Sequence, residues 1–458
     1  MLTPLLASLA LTAAPPPLAV QDLPAPNILV VVLDDVGVDM VGCYGEGPDP
    51  APTPVLNALA AEGVMFRNAW ANPVCSPSRA ELLTGRYGYR TGLGRIVTVA
   101  GWALHLDETT LPEQLRASPT DYRSGAFGKW HLSNDVVGGG IHGPNLQGFQ
   151  HFVGTAGNIG DPQNYESYQL IENGAVSEVQ DYATTRSVDD ALEWIHRPDQ
   201  ADQPWFCYVA FHAPHAPYHA PPDGLHTQQA EIAGLDPRIV PRPFYKAMLE
   251  AADAELGRLI AGLGEQAQNT RILVVADNGT PAECSLAPFL PEHAKLTPYE
   301  GGVNVPLIVS GPGIAFPGRE ADALVCITDV FATVSEWAGV VPTEAYNPDY
   351  LVDSVSLVPY LESIASSPLR DVVYADMFTP NHPSGSGVVL TWRMIRDERY
   401  KLIQRVIPPG PPQLFDLQTD PFETYNLIAP PLVSSRHAEV AVTLAQRIAT
   451  ILAGTSDQ

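Results

Sequence analysis

Four apolar runs rich in β-branched and aromatic residues most constrain the fold of this 458-residue chain. The runs occupy residues 27–33, 205–211, 271–276 and 305–310. Such short, continuous runs are typical of strands buried on both faces of a parallel sheet. Helical patterns alternate with them at residues 53–61, 183–196, 244–263 and 329–338. We therefore predict an α/β fold in which helices flank a large mixed, mainly parallel sheet.

The sequence pattern changes after about Leu369. Short strand-like segments divided by Pro and Gly turns follow at residues 371–375, 388–393, 400–405 and 413–417. A helical pattern then covers residues 437–452. Because the chain is longer than one hydrophobic core usually supports, we predict two units. The main domain covers residues 25–368, and a C-terminal subdomain of antiparallel sheet plus helix covers residues 369–458.

The charge balance limits the partners of the chain. Its formal net charge is −26, from 51 acidic and 25 basic residues. Affinity for nucleic acid depends on Lys and Arg, so we expect no nucleic-acid partner. An anion-binding site in such a chain must concentrate its own positive charge. Lysine is scarce, with only Lys129, Lys246, Lys295 and Lys401.

The N-terminal residues resemble an export signal. Residues 2–14 are apolar and rich in small side chains, and a Pro-rich stretch follows at residues 15–26. This leader, residues 1–20, is too short to span a bilayer and predicts a periplasmic or secreted protein. No Lys or Arg precedes the apolar run, so a disordered leader or a mis-assigned start codon stays open. We expect no membrane span elsewhere in the sequence.

The five cysteines are widely scattered and lack the close spacing of a zinc finger. The sequence leaves open whether four of them pair, and it leaves the oligomeric state open. Cys75 differs from the others because a helix is predicted to begin next to it, around Ser76, with Pro77 near the start. A helix N-terminus favours anions, and Arg79 lies one turn on with a planar fork of donors. The alternative for a lone cysteine is burial as a small hydrophobic side chain.

Polar residues follow three of the apolar runs. They are Asp34 and Asp35 after the first, residues 212–215 (HAPH) after the second, and Asp277 and Asn278 after the third. Ligands bind at the carboxyl ends of strands in open parallel sheets, so these residues converge on one edge. Three carboxylates and an amide oxygen suit calcium or magnesium rather than zinc. The alternatives are a capped, solvated loop for Asp34-Asp35 and an ordinary turn for Asp277-Asn278.

Several ordered motifs resemble the sulfatase family. Residues 75–86 (CSPSRAELLTGR) match its first signature, and residues 122–131 (YRSGAFGKWH) resemble its second. Further similar segments, in the family's order, are residues 27–35, 53–70, 213–217, 295–302 and 414–427. The resemblance spans about residues 25–430 and implies an alkaline-phosphatase-like fold.

The resemblance also implies the chemistry of the site. Cys75 would be converted to formylglycine by a formylglycine-generating enzyme, and its hydrate would supply the nucleophilic hydroxyl. Asp34, Asp35, Asp277 and Asn278 would hold calcium, or else magnesium, with modified Cys75 as a further ligand.

Other residues would handle sulfate and protons under the same resemblance. Arg79 would neutralise the sulfate oxygens together with the metal. Lys129 and His131 would bind the aldehyde hydrate, and His131 would later take its proton. His215 and Lys295 would bind sulfate and protonate the departing oxygen, and Asp277 is an alternative acceptor for the proton of the attacking hydroxyl.

Each of these residues also has an ordinary interpretation. Lys129 and His131 alternate, so on a strand they would share one solvated face, and Lys295 by default is a surface lysine. His215, with His212 and His219 nearby, could belong to a weak transition-metal site. His212 itself is a candidate for a supporting or substrate contact.

The resemblance implies a sulfatase that acts on a sulfated carbohydrate or an aryl sulfate. One alternative is a phosphonate or phosphate ester hydrolase of the same superfamily, since some members also use formylglycine. The other is a non-catalytic calcium-binding or glycan-binding module.

Overall fold

The fold is known from a computed structural model that describes residues 25–198, 203–341, 350–364, 367–382, 387–431 and 433–454. The leader predicted at residues 1–20 lies outside the described residues. In the described part of the chain, no helix is long and apolar enough to cross a membrane. The five cysteines lie within it, and each carries a free thiol.

The strands and helices alternate along most of the chain. The strands are β1 (Asn27–Leu33), β2 (Gly63–Trp70), β3 (Arg123–Lys129), β4 (His151–Thr155), β5 (Tyr168–Glu172), β6 (Ala175–Val179), β7 (Trp205–Ala210), β8 (Thr270–Ala276), β9 (Leu307–Ser310), β10 (Arg319–Cys326), β11 (Val373–Thr379), β12 (Leu390–Arg396), β13 (Tyr400–Ile407) and β14 (Gln413–Asp416). The helices are α1 (Pro54–Ala61), α2 (Cys75–Thr84), α3 (Gly88–Thr91), α4 (Leu111–Leu115), α5 (Gly143–Leu146), α6 (Ala183–Ile195), α7 (Gln229–Ile232), α8 (Pro241–Gly262), α9 (Glu300–Val303), α10 (Asp329–Trp337), α11 (Val358–Glu362) and α12 (Ser435–Ala453).

Strands β1 to β10 form one large sheet in the described residues, in the order β10-β2-β9-β8-β1-β7-β3-β4-β5-β6. The central strands from β8 through β1, β7 and β3 to β4 are parallel. Val31 in β1 pairs with Val209 on one side and Val274 on the other, and all three are fully buried or nearly so. Burial on both faces explains why these strands are continuous apolar runs. The predicted large mixed, mainly parallel sheet with helices is confirmed.

The four apolar runs all form strands, but one of them runs against the others. β9 pairs antiparallel with both β2 and β8. It is also shorter than predicted, because Val305 and Pro306 lie before it. The interpretation of this run as one more parallel strand is therefore wrong, since an apolar run reports burial and not direction.

Several strands escaped prediction because their sequences lack a continuous apolar run. β3 contains Gly125 and Gly128, which weaken any strand pattern. A Cβ on Gly128 would lie 2.1 Å from the carbonyl oxygen of Ala210, and its φ is +95°. The position therefore requires glycine so that β3 can pack closely against β7.

Strands β11 to β14 form a second sheet in the described residues, which is antiparallel in sequence order. Helix α12 packs on this sheet through Leu444 and Ile448. The predicted antiparallel sheet with a final helix is confirmed, with β11 and β12 displaced two residues from the expected starts. Trp70 and Tyr87 of the larger unit belong to the same hydrophobic cluster as β11 and β13. The boundary at residues 368 and 369 stays a prediction.

Candidate active site

The carboxyl ends of β1, β3, β7 and β8 meet at one edge of the large sheet, as their parallel pairing requires. Asp34 and Asp35 follow β1, and Asp277 and Asn278 follow β8. These four residues are buried, with at most 2% of each exposed. The alternatives of a solvated loop or an ordinary surface turn are therefore wrong.

Hydrogen bonds link the polar residues of the two strand ends. The backbone N–H of Asp35 donates to Asp277 Oδ1 over 3.1 Å, and Asn278 Nδ2 donates to Asp35 Oδ1 over 2.9 Å. The φ of Asp35 is +68°, an uncommon left-handed conformation that turns the chain sharply after β1. Asn278 Oδ1 is buried and has no hydrogen-bond partner among the described residues.

This oxygen set fits a divalent cation. A buried amide oxygen that accepts no hydrogen bond destabilises the folded state, because it has lost its contacts with water, and a bound cation would compensate for that loss. Ligand atoms of Asp34, Asp35, Cys75 and His215 also lie within 4.8 Å of one another. Asp34, Asp35, Asp277 and Asn278 offer oxygen ligands of the type that calcium and magnesium take.

Cys75 is the first residue of α2 and is fully buried. Its Sγ lies 3.5 Å from Asp34 Oδ1, 3.8 Å from Asp35 Oδ1 and 3.8 Å from Lys295 Nζ. Burial and then the charge of Asp277 raise the pKa of the Cys75 thiol far above its ordinary value. An unmodified Cys75 is therefore a thiol, not a thiolate nucleophile. The prediction of a helix start here is correct to within one residue.

Three buried cations balance the carboxylates. Lys129 Nζ contacts Asp34, and Lys295 Nζ contacts Asp35. Arg79 Nε donates to Asp277 Oδ2 over 2.8 Å, and another of its nitrogens lies 3.6 Å from Asp34 Oδ2. Lys295 is only 12% exposed along its side chain, so the surface-lysine alternative is wrong.

The buried charges fix the ionisation of this cluster. Burial alone would raise the pKa of Asp34, but the positive charges of Lys129 and Arg79 hold it well below its ordinary value. Burial would lower the pKa of Lys295, but Asp35 raises it above its ordinary value. Asp34 and Lys295 are therefore charged, and the cluster presents ammonium groups beside Cys75.

His131 lies two residues beyond Lys129, the last residue of β3. Its φ is +62°, so it is not on the strand, and both residues are buried. The alternative of a shared solvated strand face is therefore wrong. Burial and then the charge of Lys129 lower the pKa of His131 well below its ordinary value, which keeps the imidazole neutral. Its Nδ1 is buried without a partner among the described residues.

His215 and His212 follow β7 but differ in environment. His215 Nε2 lies 3.9 Å from Asp35 Oδ2, and its side chain is 20% exposed. His212 is buried, and its Nε2 lies 2.7 Å from Thr155 Oγ1. Burial and the charge of Lys129 lower the pKa of His212 to about 3. In the described part of the chain, His212, His215 and His219 do not gather as a three-histidine metal site.

Several supporting residues carried no signal in the sequence. Tyr165 donates its hydroxyl to the carbonyl oxygens of His212 and His215, over 2.8 and 2.6 Å. Tyr245 in α8 donates to the carbonyl oxygen of Asp35 over 2.7 Å. Ser76 Oγ donates to the carbonyl oxygen of His131 over 2.8 Å. These side chains bind backbone carbonyl groups and not a ligand, and their partners are distant in sequence. No sequence motif therefore pointed to Tyr165 or Tyr245, and only Ser76 lies inside one of the family signatures.

The family model described as Sulfatase matches residues 26–340. A second model, described as N-sulphoglucosamine sulphohydrolase, C-terminal, matches residues 293–453. The first match alone covers well over half of the chain and includes every residue of the candidate site.

Individual relatives match most of the chain. N-acetylgalactosamine-6-sulfatase of Canis lupus familiaris is 31% identical over 370 residues, which cover 73% of this chain and 65% of that relative. The chain thus spans just under two thirds of that relative's length. Arylsulfatase A of Homo sapiens is 29% identical, over 88% of this chain and 83% of its own.

A solved structure shares the fold. The crystal structure of Ps i-CgsB superposes with a TM-score of 0.78 and 25% identity, covering 94% of each chain. The same protein has been solved in complex with k-i-k-neocarrahexaose.

Proposed function

Because this chain belongs to the sulfatase family of sulfuric ester hydrolases, we propose that it hydrolyses a sulfate ester to an alcohol and inorganic sulfate. The observation that carries the proposal is the position of Cys75. It lies at the N-terminus of α2, buried among Asp34, Asp35 and Lys295, within a family signature. A thiol held protonated by burial is a poor nucleophile, so this position favours a modified residue.

The proposed modification is formylglycine, made from Cys75 by a formylglycine-generating enzyme. Formylglycine would supply, as its hydrate, the nucleophilic hydroxyl for the sulfate ester. In the chain itself, Lys129 and Lys295 place ammonium groups around this position. His131 would accept a proton from the hydrate, a role supported by its neutral imidazole and by a buried Nδ1 that has no partner among the described residues.

Sulfate neutralisation is assigned to Arg79 and Lys295, together with a divalent cation. Asp34, Asp35, Asp277 and Asn278 would hold that cation, and modified Cys75 would complete the set. Calcium is the proposed ion and magnesium the alternative, since both take oxygen ligands. The cation supplies positive charge next to the sulfate oxygens, where negative charge has to be stabilised.

The departing alcohol needs a proton donor. His215, partly exposed beside Asp35, and Lys295 are the proposed donors and sulfate contacts. Because Asp35 raises the pKa of Lys295, Lys295 stays charged and is the better sulfate contact, and His215 is the better proton donor. Asp277 is a less suitable base for the attacking hydroxyl, because Arg79 Nε occupies its Oδ2 and the Asp35 N–H its Oδ1.

The substrate is proposed to be a sulfated carbohydrate, with aryl sulfate as an accepted model substrate. The relatives include an N-acetylgalactosamine-6-sulfatase and an arylsulfatase, and Ps i-CgsB was solved with k-i-k-neocarrahexaose. We also propose that the protein is exported to the periplasm or secreted, which the apolar residues 2–14 support.

The test begins with the intact mass of the peptide that contains Cys75, in protein made alongside a formylglycine-generating enzyme. Oxidation of the CH₂SH group to an aldehyde lowers the peptide mass by about 18 Da, which follows from the atoms lost and gained. Unmodified cysteine together with calcium or glycan binding would instead support a binding module.

The second measurement compares 4-nitrophenyl sulfate with 4-nitrophenyl phosphate and phenyl phosphonate esters under the same conditions. We expect the highest kcat/KM on the sulfate ester. A higher value on a phosphate or phosphonate ester would replace the sulfatase proposal with the phosphate or phosphonate ester hydrolase.

A further inference from the structure

Basic residues are missing from long stretches of the chain that surround the candidate site. Residues 130–185, 198–237 and 272–294 contain neither Lys nor Arg, although each stretch contains several Asp and Glu residues. The first stretch follows β3, the second contains β7 and the loop after it, and the third contains most of β8 and the loop after it. The carboxyl ends of these three strands carry the site. Within these stretches, only histidines can carry positive charge.

Three exposed carboxylates lie on these loops, which follow strands that end at the site. Asp161 and Glu166 belong to the connection between β4 and β5. Tyr165 of that connection donates to the carbonyl oxygens of His212 and His215, which fixes the loop beside the site. Glu283 follows Asn278 by five residues, and its Oε1 accepts a hydrogen bond from Tyr218 over 2.9 Å. We call Asp161, Glu166 and Glu283 the acidic rim.

The segment after α2 differs because it carries arginines, but two of the three are already paired. Arg86 Nε lies 3.1 Å from a carboxylate oxygen of Glu108, and Arg90 lies 2.8 Å from one of Asp353. Arg95 is half-buried and donates to the sulfur of Met377 over 3.5 Å. Arg95 is then the one guanidinium of this segment without an ion pair among the described residues, and a single guanidinium does not provide the basic lining that a polyanion needs.

Resting on the proposed sulfatase activity, we infer that the substrate is a singly sulfated and otherwise uncharged carbohydrate. The cations Arg79 and Lys295 would meet the sulfate that is removed. A second sulfate or a carboxylate on a neighbouring sugar would lie beside the acidic rim without a basic partner. The net charge of −26 adds a repulsive field, so polyanionic chains approach more slowly than singly charged sugars.

The test uses formylglycine-bearing full-length protein and three matched sets of probes. The first set is galactose, N-acetylgalactosamine and N-acetylglucosamine, each with a single sulfate at each available hydroxyl. The second set joins the same sulfated sugars to glucuronic acid, and the third joins them to glucose as neutral controls of equal size. Sulfate release gives kcat/KM for each probe, and 4-nitrophenyl sulfate serves as the activity reference.

For the preferred sulfated sugar, we expect kcat/KM on the glucuronic acid conjugate to be at least about tenfold below that on the glucose conjugate at low ionic strength. The ratio should shrink as salt is raised, because screening shortens the range of the repulsion. Equal or faster release from the glucuronic acid conjugate would overturn the inference and leave the sulfatase function intact. Sulfate release from 4-nitrophenyl sulfate and from none of the sugars would also overturn the inference and leave the sulfatase function intact. No release from any probe would overturn both the inference and the sulfatase proposal.

A set of variants assigns the effect to the acidic rim. The triple variant Asp161→Asn, Glu166→Gln, Glu283→Gln should raise kcat/KM on the glucuronic acid conjugate several-fold and leave the glucose conjugate unchanged. The matched control Asp121→Asn, Glu265→Gln neutralises exposed residues just before β3 and β8, at the opposite edge of the sheet. An equal gain in the control variant would contradict the assignment to the rim.

Discussion

At the scale of single residues, Cys75 combines complete burial with weak contacts. The distances from its Sγ to the oxygen and nitrogen atoms of Asp34, Asp35 and Lys295 are 3.5 to 3.8 Å, and a thiol is only a weak hydrogen-bond donor and acceptor. The fold therefore gains little from the sulfur itself. The surrounding charges matter more, because Asp34, Lys129 and Arg79 balance one another whether or not the thiol is present.

Replacing Cys75 by alanine should abolish sulfate release and leave the protein folded. Removal of one buried sulfur costs about 1 kcal/mol in the free energy of unfolding, by analogy with small core truncations. Urea unfolding and 4-nitrophenyl sulfate hydrolysis measure the two effects. The control is Cys207→Ala in β7, which removes an equally buried thiol away from the site. It should cost similar stability and keep activity, and loss of activity in both variants would contradict the role of Cys75.

The residues that the sequence proposes for the site lie together in the structure, but the sequence does not predict how the backbone presents them. Asp35 and His131 were both identified, yet both adopt left-handed φ values, of +68° and +62°. Neither is glycine, and such conformations are held by the surrounding structure rather than by local preference. For Asp35, that structure includes Tyr245, whose hydroxyl holds its carbonyl oxygen from α8. Contacts of this kind join residues far apart in sequence, which no local pattern encodes.

At the scale of elements, helix α2 joins the site to the C-terminal sheet. Its first residue is Cys75, and Glu81, two turns later, is buried against β11 beside Asp376. Asn72 Oδ1 accepts the backbone N–H of Asp376 over 3.2 Å, and its Nδ2 contacts Glu81. Two buried carboxyl groups thus lie at the junction between the units.

Asp376 should make stability depend on pH. Burial raises its pKa to about 7, although the Tyr374 hydroxyl and the charge of Arg393 oppose the shift. The pKa in the unfolded chain is about 3.9, so the folded state holds more protons between these values. The stabilisation is therefore complete below about pH 4 and is lost as pH rises through 7.

The variant Asp376→Asn should flatten that dependence, because the amide oxygen still accepts from Tyr374 and nothing ionises. Between pH 5 and pH 8, its free energy of unfolding should fall by roughly 2 to 3 kcal/mol less than that of the native protein. Urea unfolding at both pH values measures the difference. Glu439→Gln, at an exposed position of α12, is the control, and its free energy of unfolding should change with pH as that of the native protein does. A native slope in Asp376→Asn would show that Asp376 does not titrate in this range.

A buried ion network joins β13 to the helix that follows the Lys295 loop. Lys401 Nζ lies 3.0 Å from Glu300 Oε1 and 2.8 Å from Glu423 Oε1, and Lys401 is fully buried. Glu300 begins α9, five residues after Lys295. The network therefore holds the end of the segment that delivers Lys295 to Cys75.

The variant Lys401→Met removes the cation that Glu300 and Glu423 share and leaves Glu300 with Arg396, so it should destabilise the protein by about 3 to 5 kcal/mol. We expect kcat/KM for 4-nitrophenyl sulfate to fall as the Lys295 segment loosens. Chemical denaturation and steady-state kinetics measure both effects. Lys246→Met is the control, since its partner Asp49 is half-exposed and such pairs contribute less than about 1 kcal/mol. Equal costs in the two variants would contradict the importance of the buried network.

At the scale of the whole molecule, the order of strands in the large sheet could not be predicted from the sequence. β1 lies between β7 and β8, which begin at Trp205 and Thr270. The four apolar runs predicted buried strands correctly, but a run does not encode its neighbour or its direction, as β9 demonstrates. What could be predicted was the convergence of polar residues at the carboxyl edge, because that follows from parallel strands in general.

The proposed cation site draws on this convergence and leads to the last prediction. Its carboxylates come from the ends of β1 and β8, so a bound ion would cross-link loops that are far apart in sequence. Without the ion, Lys129, Lys295 and Arg79 still balance the carboxylates, so we expect the protein to stay folded after chelation. We expect it to lose activity and to melt several degrees lower.

Calcium should reverse both losses. An ion at 100 times its dissociation constant adds about 2.7 kcal/mol to the free energy of unfolding, which thermal denaturation resolves easily. The measurement compares Tm and sulfate release after treatment with a chelator, with and without added calcium or magnesium. The matched variant Asn278→Ala removes one oxygen ligand without changing charge, so its Tm should respond only at higher calcium concentrations. If the Tm and the activity of the native protein change neither with the chelator nor with the added ions, there is no functional divalent cation at this site.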